Sequence, residues 1–362
     1  MIQSKLRIGL ISPFKKIYND VSLERFATGG SEITNFIASY LGDSHYKSYV
    51  VDSEDGPRTS APQITDLLFV VSTPMRNHFL NIESTSTKYR DILHWMAFTK
   101  KIVWVRSDPT PTFRFFKLEE FIRCHRFKPN HKSVVKYASS KSFRNPVNLL
   151  IIPDVYVDSE KEKLRQVLKI QPHHEMEFIN LTGVSWLEWN HKRIVQPYST
   201  KRNLVYIGNN RSKRLNALWK YHKRLDMQVY GNWKSQGKVA EIFGSAAIYN
   251  GKLKHNQIRS VYNNLTTSVI TVDSHVEGLS YYPTRMWEIL RYGGSFLIAV
   301  EADFCNSKGI GILNRWVVES VDDVKRQMQY DYWREQRRVL ETITPSKSEL
   351  YTALDNLIEK YT

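Results

Sequence analysis

Apolar residues in the first half of the chain fall in short dense runs, separated by stretches where they recur at helical spacing. Leu6-Arg7-Ile8-Gly9-Leu10-Ile11-Ser12 predicts a first strand. Gly29-Gly30-Ser31-Glu32 then opens a helix with Ile33, Phe36, Ile37, Tyr40 and Leu41 on one face. Ser31 suits its N-cap, and Glu32 its first turn. Further strands are expected at 49–51, 67–71, 102–105 and 147–152. An irregular stretch, 173–200, holds Trp186, Trp189 and Pro197 and reads as a crossing between domains. A second series follows, with strands at 204–208, 228–231, 248–251 and 268–272 and a helix near 256–263. Strands alternating with helices imply an α/β fold of two parallel, doubly wound sheets. The domains are expected at 1–185 and 195–343. Ser320-Val321-Asp322-Asp323 caps a long helix, and Thr344-Pro345-Ser346 starts a last one burying Leu350, Ala353, Leu354, Leu357 and Ile358.

One stretch organises the second series: Tyr281-Tyr282-Pro283-Thr284-Arg285-Met286-Trp287-Glu288-Ile289-Leu290-Arg291-Tyr292-Gly293-Gly294. Pro283 suits the first helical position and Gly293-Gly294 a helix end. Phe296-Leu297-Ile298-Ala299-Val300 behind it reads as a buried strand. Arg285 and Glu288 lie three apart, so they share one side of the helix, with Met286, Ile289 and Leu290 facing the core. An arginine at a helix N-terminus suits a phosphate, and a carboxylate one turn on can accept from the vicinal hydroxyls of a ribose. The competing reading is an amphipathic helix with a surface ion pair.

Composition narrows the partners. The 362 residues carry 52 Lys+Arg against 36 Asp+Glu, a formal charge of +16, which points to a polyanion. Two cysteines, Cys124 and Cys305, give no disulfide framework, and no apolar run reaches membrane-spanning length. A cytoplasmic protein with no membrane partner is expected. Between 114 and 144, nine Lys/Arg stand against two acids, with Phe113, Phe115, Phe116, Phe121, Phe127, Tyr137 and Phe143 in and beside them. Arg114, Arg123, Arg126 and Lys128 are therefore candidate contacts to nucleic acid, a solvated helix face being the alternative.

The motifs exclude several chemistries. There is no Walker loop, no complete G-x-G-x-x-G and no Asp-x-Asp. His173-His174 beside Glu175 and Glu177 lacks helical ligand spacing, so no metal site is assigned. Gly208 at a strand end, followed by Asn209, Asn210, Arg211 and Arg214, would let backbone and cations approach a pyrophosphate. Asp108 follows a strand and precedes Pro109, at the sheet end where Glu32 also emerges. Pro74-Met75-Arg76-Asn77-His78-Phe79, at that same edge, is either an ordinary connection or a loop that enters a duplex.

These residues bring the chain to a family. Tyr206-Ile207-Gly208-Asn209-Asn210-Arg211, Val229-Tyr230-Gly231-Asn232, Asn250-Gly251-Lys252-Leu253 and Thr284-Arg285-Met286-Trp287-Glu288 resemble the phage DNA β-glucosyltransferases in order and spacing. The first half matches more sparsely, at Ser31-Glu32 and Ser107-Asp108. The resemblance implies a GT-B fold, with the donor bound mostly by the second domain and residues 345–362 returning to the first, the acceptor domain. It implies transfer of glucose from a uridine diphosphate (UDP) sugar to 5-hydroxymethylcytosine in double-stranded phage DNA. No cofactor would be required, although a divalent metal could stimulate the reaction. Arg211, Arg214 and Arg285 would hold the diphosphate and Glu288 the ribose, while the backbone around Leu253 would read uracil. Gly208, Asn209, Tyr230, Gly231 and Lys252 complete the donor set. Asp108 would be the base and Glu32 would position the sugar. Arg76, Asn77 and Phe79 would support the opened duplex. The loop 273–282, with Asp273, Glu277 and Tyr282, departs from the family's pattern, so the sugar would be chosen there. Alternatives are another sugar such as arabinose, a polysaccharide or lipid acceptor, or a DNA-binding protein without catalysis.

Overall fold

The computed structural model describes residues 6–12, 29–52, 64–72, 95, 99–106, 149–152, 155–156, 175–181, 202–208, 227–231, 249–263, 265–271, 281–299, 305 and 310–362. In the first half, β1 (Arg7–Ser12), β2 (Lys47–Asp52), β3 (Thr65–Ser72), β4 (Thr99–Arg106), β5 (Leu149–Ile152) and β7 (Glu175–Phe178) form one sheet. Its order is β2-β1-β3-β4-β5-β7, and every pairing is parallel. Leu67 to Val71 are all completely buried, because a central parallel strand is covered on both faces. Helix α1 (Gly29–Asp43) covers one face with Ile33, Phe36, Ile37, Tyr40 and Leu41, the set its spacing predicts. It begins at Gly29, so Ser31 lies within the first turn and is not its cap.

The second sheet has order β12-β10-β8-β9, from β8 (Asn203–Ile207), β9 (Met227–Tyr230), β10 (Thr266–Ile270) and β12 (Ser295–Ile298), again parallel. Helices α2 (His255–Val261) and α3 (Arg285–Arg291) belong to this half. The expected strand at 248–251 reduces, among described residues, to a single bridge between Tyr249 and Val229. The long helix after Ser320 is two: α4 (Val321–Gln327) and α5 (Trp333–Thr342). Asp331 between them accepts the Trp333 N–H at 3.1 Å and pairs with Arg202 at 2.9 Å, fixing a turn there. Ser320 does cap α4, accepting from the Asp323 N–H.

Two features join the halves. A short ribbon pairs β6 (Val155–Tyr156) antiparallel with β11 (Tyr281–Tyr282), just before α3. The last helix, α6 (Lys347–Tyr361), is capped by Ser346 with Glu349 answering, and inserts Leu350, Leu354, Leu357 and Ile358 into the core around β1 and α1. Ala353, expected in that core, is only half-buried. The Tyr40 hydroxyl donates to Asp355 at 2.6 Å. Burial, and then the Asp355 carboxylate, push the Tyr40 phenol well above its ordinary pKa. Strand β7 lies inside the stretch read as a crossing. Its Glu175 and Glu177 pair with Lys360 at 3.2 and 3.0 Å, while His173 and His174 lie outside the described residues. Among the described residues no helix is long and apolar enough to cross a membrane.

Candidate active site

In each sheet the chain leaves one strand for a neighbour on one side, then returns to the other side. In the second sheet that reversal falls between β8 and β10. Open α/β sheets bind ligands at such a point, beyond the carboxyl ends of the strands. Gly208 ends β8 there, Tyr230 and Gly231 end the neighbouring β9, and α3 follows β10. Gly208, Tyr230 and Gly231 thus share one sheet edge, which α3, carrying Arg285 and Glu288, follows in the chain.

Backbone bonds lock this edge. The Gly208 N–H donates to Tyr230 O, Asn250 N–H to Val229 O and Gly231 N–H to Gly251 O, each at 2.9 Å. The Tyr249 hydroxyl donates to Gly231 O at 2.8 Å. Leu253 packs against the core beneath α3, and the next residue, Lys254, caps α2 by donating its N–H to the Gln257 side chain at 2.7 Å. The backbone around Leu253 is therefore held from both sides, while the Lys252 side chain is exposed.

Helix α3 starts at Arg285, with Thr284 as its cap, two positions later than the proline suggested; the Pro283 carbonyl accepts from the Met286 N–H at 2.9 Å. It ends as expected. Gly293 adopts φ 93°, its N–H reaching Leu290 O, and the Gly294 N–H reaches Ile289 O, both at 3.1 Å. Met286, Ile289 and Leu290 are buried, and so are Trp287 and Arg291. The Trp287 indole donates to Thr344 at 2.9 Å, and the Trp333 indole donates to Leu290 O at 2.6 Å. The helix carrying the pair is therefore bolted to its surroundings along its whole length.

Arg285 and Glu288 are in direct contact, guanidinium to carboxylate, with side chains 35% and 12% exposed. Burial alone would lower the Arg285 pKa, but Glu288, Tyr262 and Tyr206 outweigh it and raise it, so this cation stays charged. Tyr282, placed by sequence in the sugar-reading loop, is 6% exposed and packs in the core under α3. Tyr206, Tyr262 and Ser268 lie around the pair and were not singled out from sequence. A signal existed for Tyr206: it stands two before Gly208, hence on the same face of its strand.

Of the first-half candidates, Glu32 lies in the first turn of α1, and Asp108 follows the last residue of β4 by two. Asp108, Arg76, Asn77, Phe79, Arg114, Arg123, Arg126 and Lys128 lie outside the described residues, as do Asn209, Arg211, Arg214, Asp273 and Glu277. Among the described residues no three His, Cys, Asp or Glu side chains come together to hold a metal ion.

Solved structures share this architecture over nearly the whole chain. The DNA-modifying enzyme beta-glucosyltransferase, determined with and without uridine diphosphoglucose, superposes with TM-score 0.65 at 16% identity, covering 98% of this chain and 100% of that one. The chain has the GT-B fold. The T4 phage enzyme in complex with UDP and Mn2+ matches this GT-B chain with TM-score 0.63 at 15% identity, over 97% of this chain and 99% of that one. A T4 phage variant with an aspartate replaced by alanine, bound to UDP-glucose, matches with TM-score 0.65 at 15% identity, over the same shares. No protein-family model matches the sequence, and no curated protein matches it.

Proposed function

We propose that this chain transfers glucose from UDP-glucose to 5-hydroxymethylcytosine in double-stranded DNA, with inversion at the sugar. The observation that carries the reading is the Arg285–Glu288 pair at the start of α3, in the half whose sheet reverses between β8 and β10, with Tyr206 of β8 close to the arginine. It occurs in a fold shared end to end with a DNA β-glucosyltransferase. Arg285, with Arg211 and Arg214, neutralises the diphosphate as it leaves; Glu288 accepts from the ribose hydroxyls; the fixed backbone at Leu253 presents hydrogen bonds to the base. Mn2+ accompanies UDP in one neighbour.

The acceptor hydroxyl loses its proton to Asp108 as its oxygen attacks the anomeric carbon, and the bond to the diphosphate breaks on the opposite face. An aspartate at its ordinary pKa of about 4 is ionised at pH 7 and ready to take that proton. A single displacement on an α-linked donor yields a β-linked sugar. The base must leave the helix to reach the reacting carbon, with Arg76, Asn77 and Phe79 at the edge of the gap and 114–144 on the phosphates. Mass spectrometry of nucleosides from hydroxymethylcytosine DNA, incubated with UDP-glucose and separately with UDP-arabinose, tests the reading. A hexose adduct is expected from UDP-glucose; a pentose adduct alone would transfer the donor assignment to arabinose, and no adduct would refute the activity.

A further inference from the structure

Tyr206 and Gly208 face the same side of β8, and a Cβ on Gly208 would sit 2.5 Å from the Tyr206 hydroxyl oxygen. Glycine is therefore needed there to leave room for a phenol, a requirement within the chain itself. Tyr262, just after α2, reaches the same region from the other side. It is completely buried, belongs to the same core cluster as Met286, Tyr282 and Ile289, and its hydroxyl has no well-aligned hydrogen bond. That hydroxyl faces Arg285 and Ser268. A buried hydroxyl without a well-aligned hydrogen bond is costly, and a small shift of Arg285 would supply one.

Arg285 supplies the reason. A guanidinium has five N–H donors and no acceptor. In this structure its short contact is to Glu288. When a phosphate takes two N–H groups in bidentate fashion and draws the guanidinium from Glu288, the donors left on its buried side need an acceptor. A neutral phenol oxygen serves without competing with the phosphate for the positive charge.

We infer that Tyr262 is a positioning residue for the donor diphosphate: its hydroxyl accepts from the Arg285 guanidinium once the diphosphate has drawn that guanidinium away from Glu288, and Tyr206, whose ring sits over Gly208, lies close to the same arginine. The inference rests on the donor reading above and adds residues that touch no substrate.

The test is Tyr262→Phe, which keeps the ring and removes only the hydroxyl, titrated calorimetrically with UDP and with uridine. UDP should bind about tenfold more weakly, the scale of one hydrogen bond to a charged group. Uridine, which carries no phosphate, should bind as to the unaltered protein. Equal losses for both ligands, or no loss for UDP, would overturn the inference. Should the variant not fold, Cζ-labelled tyrosine NMR of the unaltered protein decides the matter. A buried tyrosine resonance should move with UDP and stay still with uridine, and its failure to do so is again fatal. If the unaltered protein binds no UDP, the donor reading falls first; if it binds UDP and the ratio is unchanged in Tyr262→Phe, only the role of Tyr262 falls.

Discussion

Glu288 has two roles at one carboxylate: it neutralises Arg285 in this structure, and in the proposed complex it accepts from the ribose. Because Arg285 remains about one-third exposed, removal of its partner leaves a cation that water can still reach. Glu288→Ala should therefore leave the thermal midpoint nearly unchanged while weakening UDP binding roughly tenfold to a hundredfold, by isothermal titration. Unaltered affinity would remove the ribose assignment. Asp108 calls for the opposite signature. Asp108→Asn is nearly isosteric but cannot take the acceptor proton, so turnover should fall about 10²–10⁴-fold with donor and DNA affinities retained. Loss of binding together with turnover would make Asp108 structural, and an α-linked product seen by NMR would rule out single displacement.

Strands β1, β3 and β4 meet at their amino ends through Asp66, which accepts from the Arg7 N–H at 2.9 Å and pairs with Lys100 at 2.7 Å. Burial would raise its pKa, but Lys100 and Arg7 overcome that and hold it at about 2. A carboxylate depressed in the folded state adds stability above its unfolded pKa, near 4, and loses that contribution as pH falls through the folded value. Asp66→Asn should thus cost about 1–2 kcal/mol at pH 7, discounted for its exposed partners, and almost nothing near pH 2. Urea unfolding at the two pH values checks this, and an equal cost at both would show a packing effect. The elements themselves were legible where local chemistry and burial agree. Leu67 to Val71 read as a strand, Ser346 with Glu349 as a helix start, and Gly293-Gly294 as a helix end. Strand β7 was not, because Glu175-Met176-Glu177-Phe178 is an edge strand whose acids answer Lys360, 183 residues from Glu177. The break at Asp331 likewise depends on Arg202, and the approach of Tyr206 and Tyr262 to Arg285 joins elements that no local pattern relates. In the candidate site, the Arg285–Glu288 spacing was readable because both residues share one helix; Tyr262 was not, because its role lies in where it points.

Charge belongs to the whole molecule. Residues 310–362 carry eight Lys/Arg against nine Asp/Glu, so the surplus behind the formal +16 lies entirely earlier in the chain, where 114–144 is its densest part. If that segment tracks phosphates, duplex affinity should fall steeply with salt. The combined changes Arg123→Gln, Arg126→Gln and Lys128→Gln should flatten the log–log slope by up to about three. A slope left intact would place the DNA elsewhere. The return of α6 has its own consequence, in the order of synthesis. Tyr40 and Asp355 are 315 residues apart, yet they meet in one core. On the ribosome, the first sheet must wait with an apolar face uncovered while the entire second half is made and folds ahead of it. The usual amino-to-carboxyl order of domain maturation is thereby inverted. A released chain that ended just short of residue 347 would lack Leu350, Leu354, Leu357 and Ile358 from the first core and would be a natural client for chaperones.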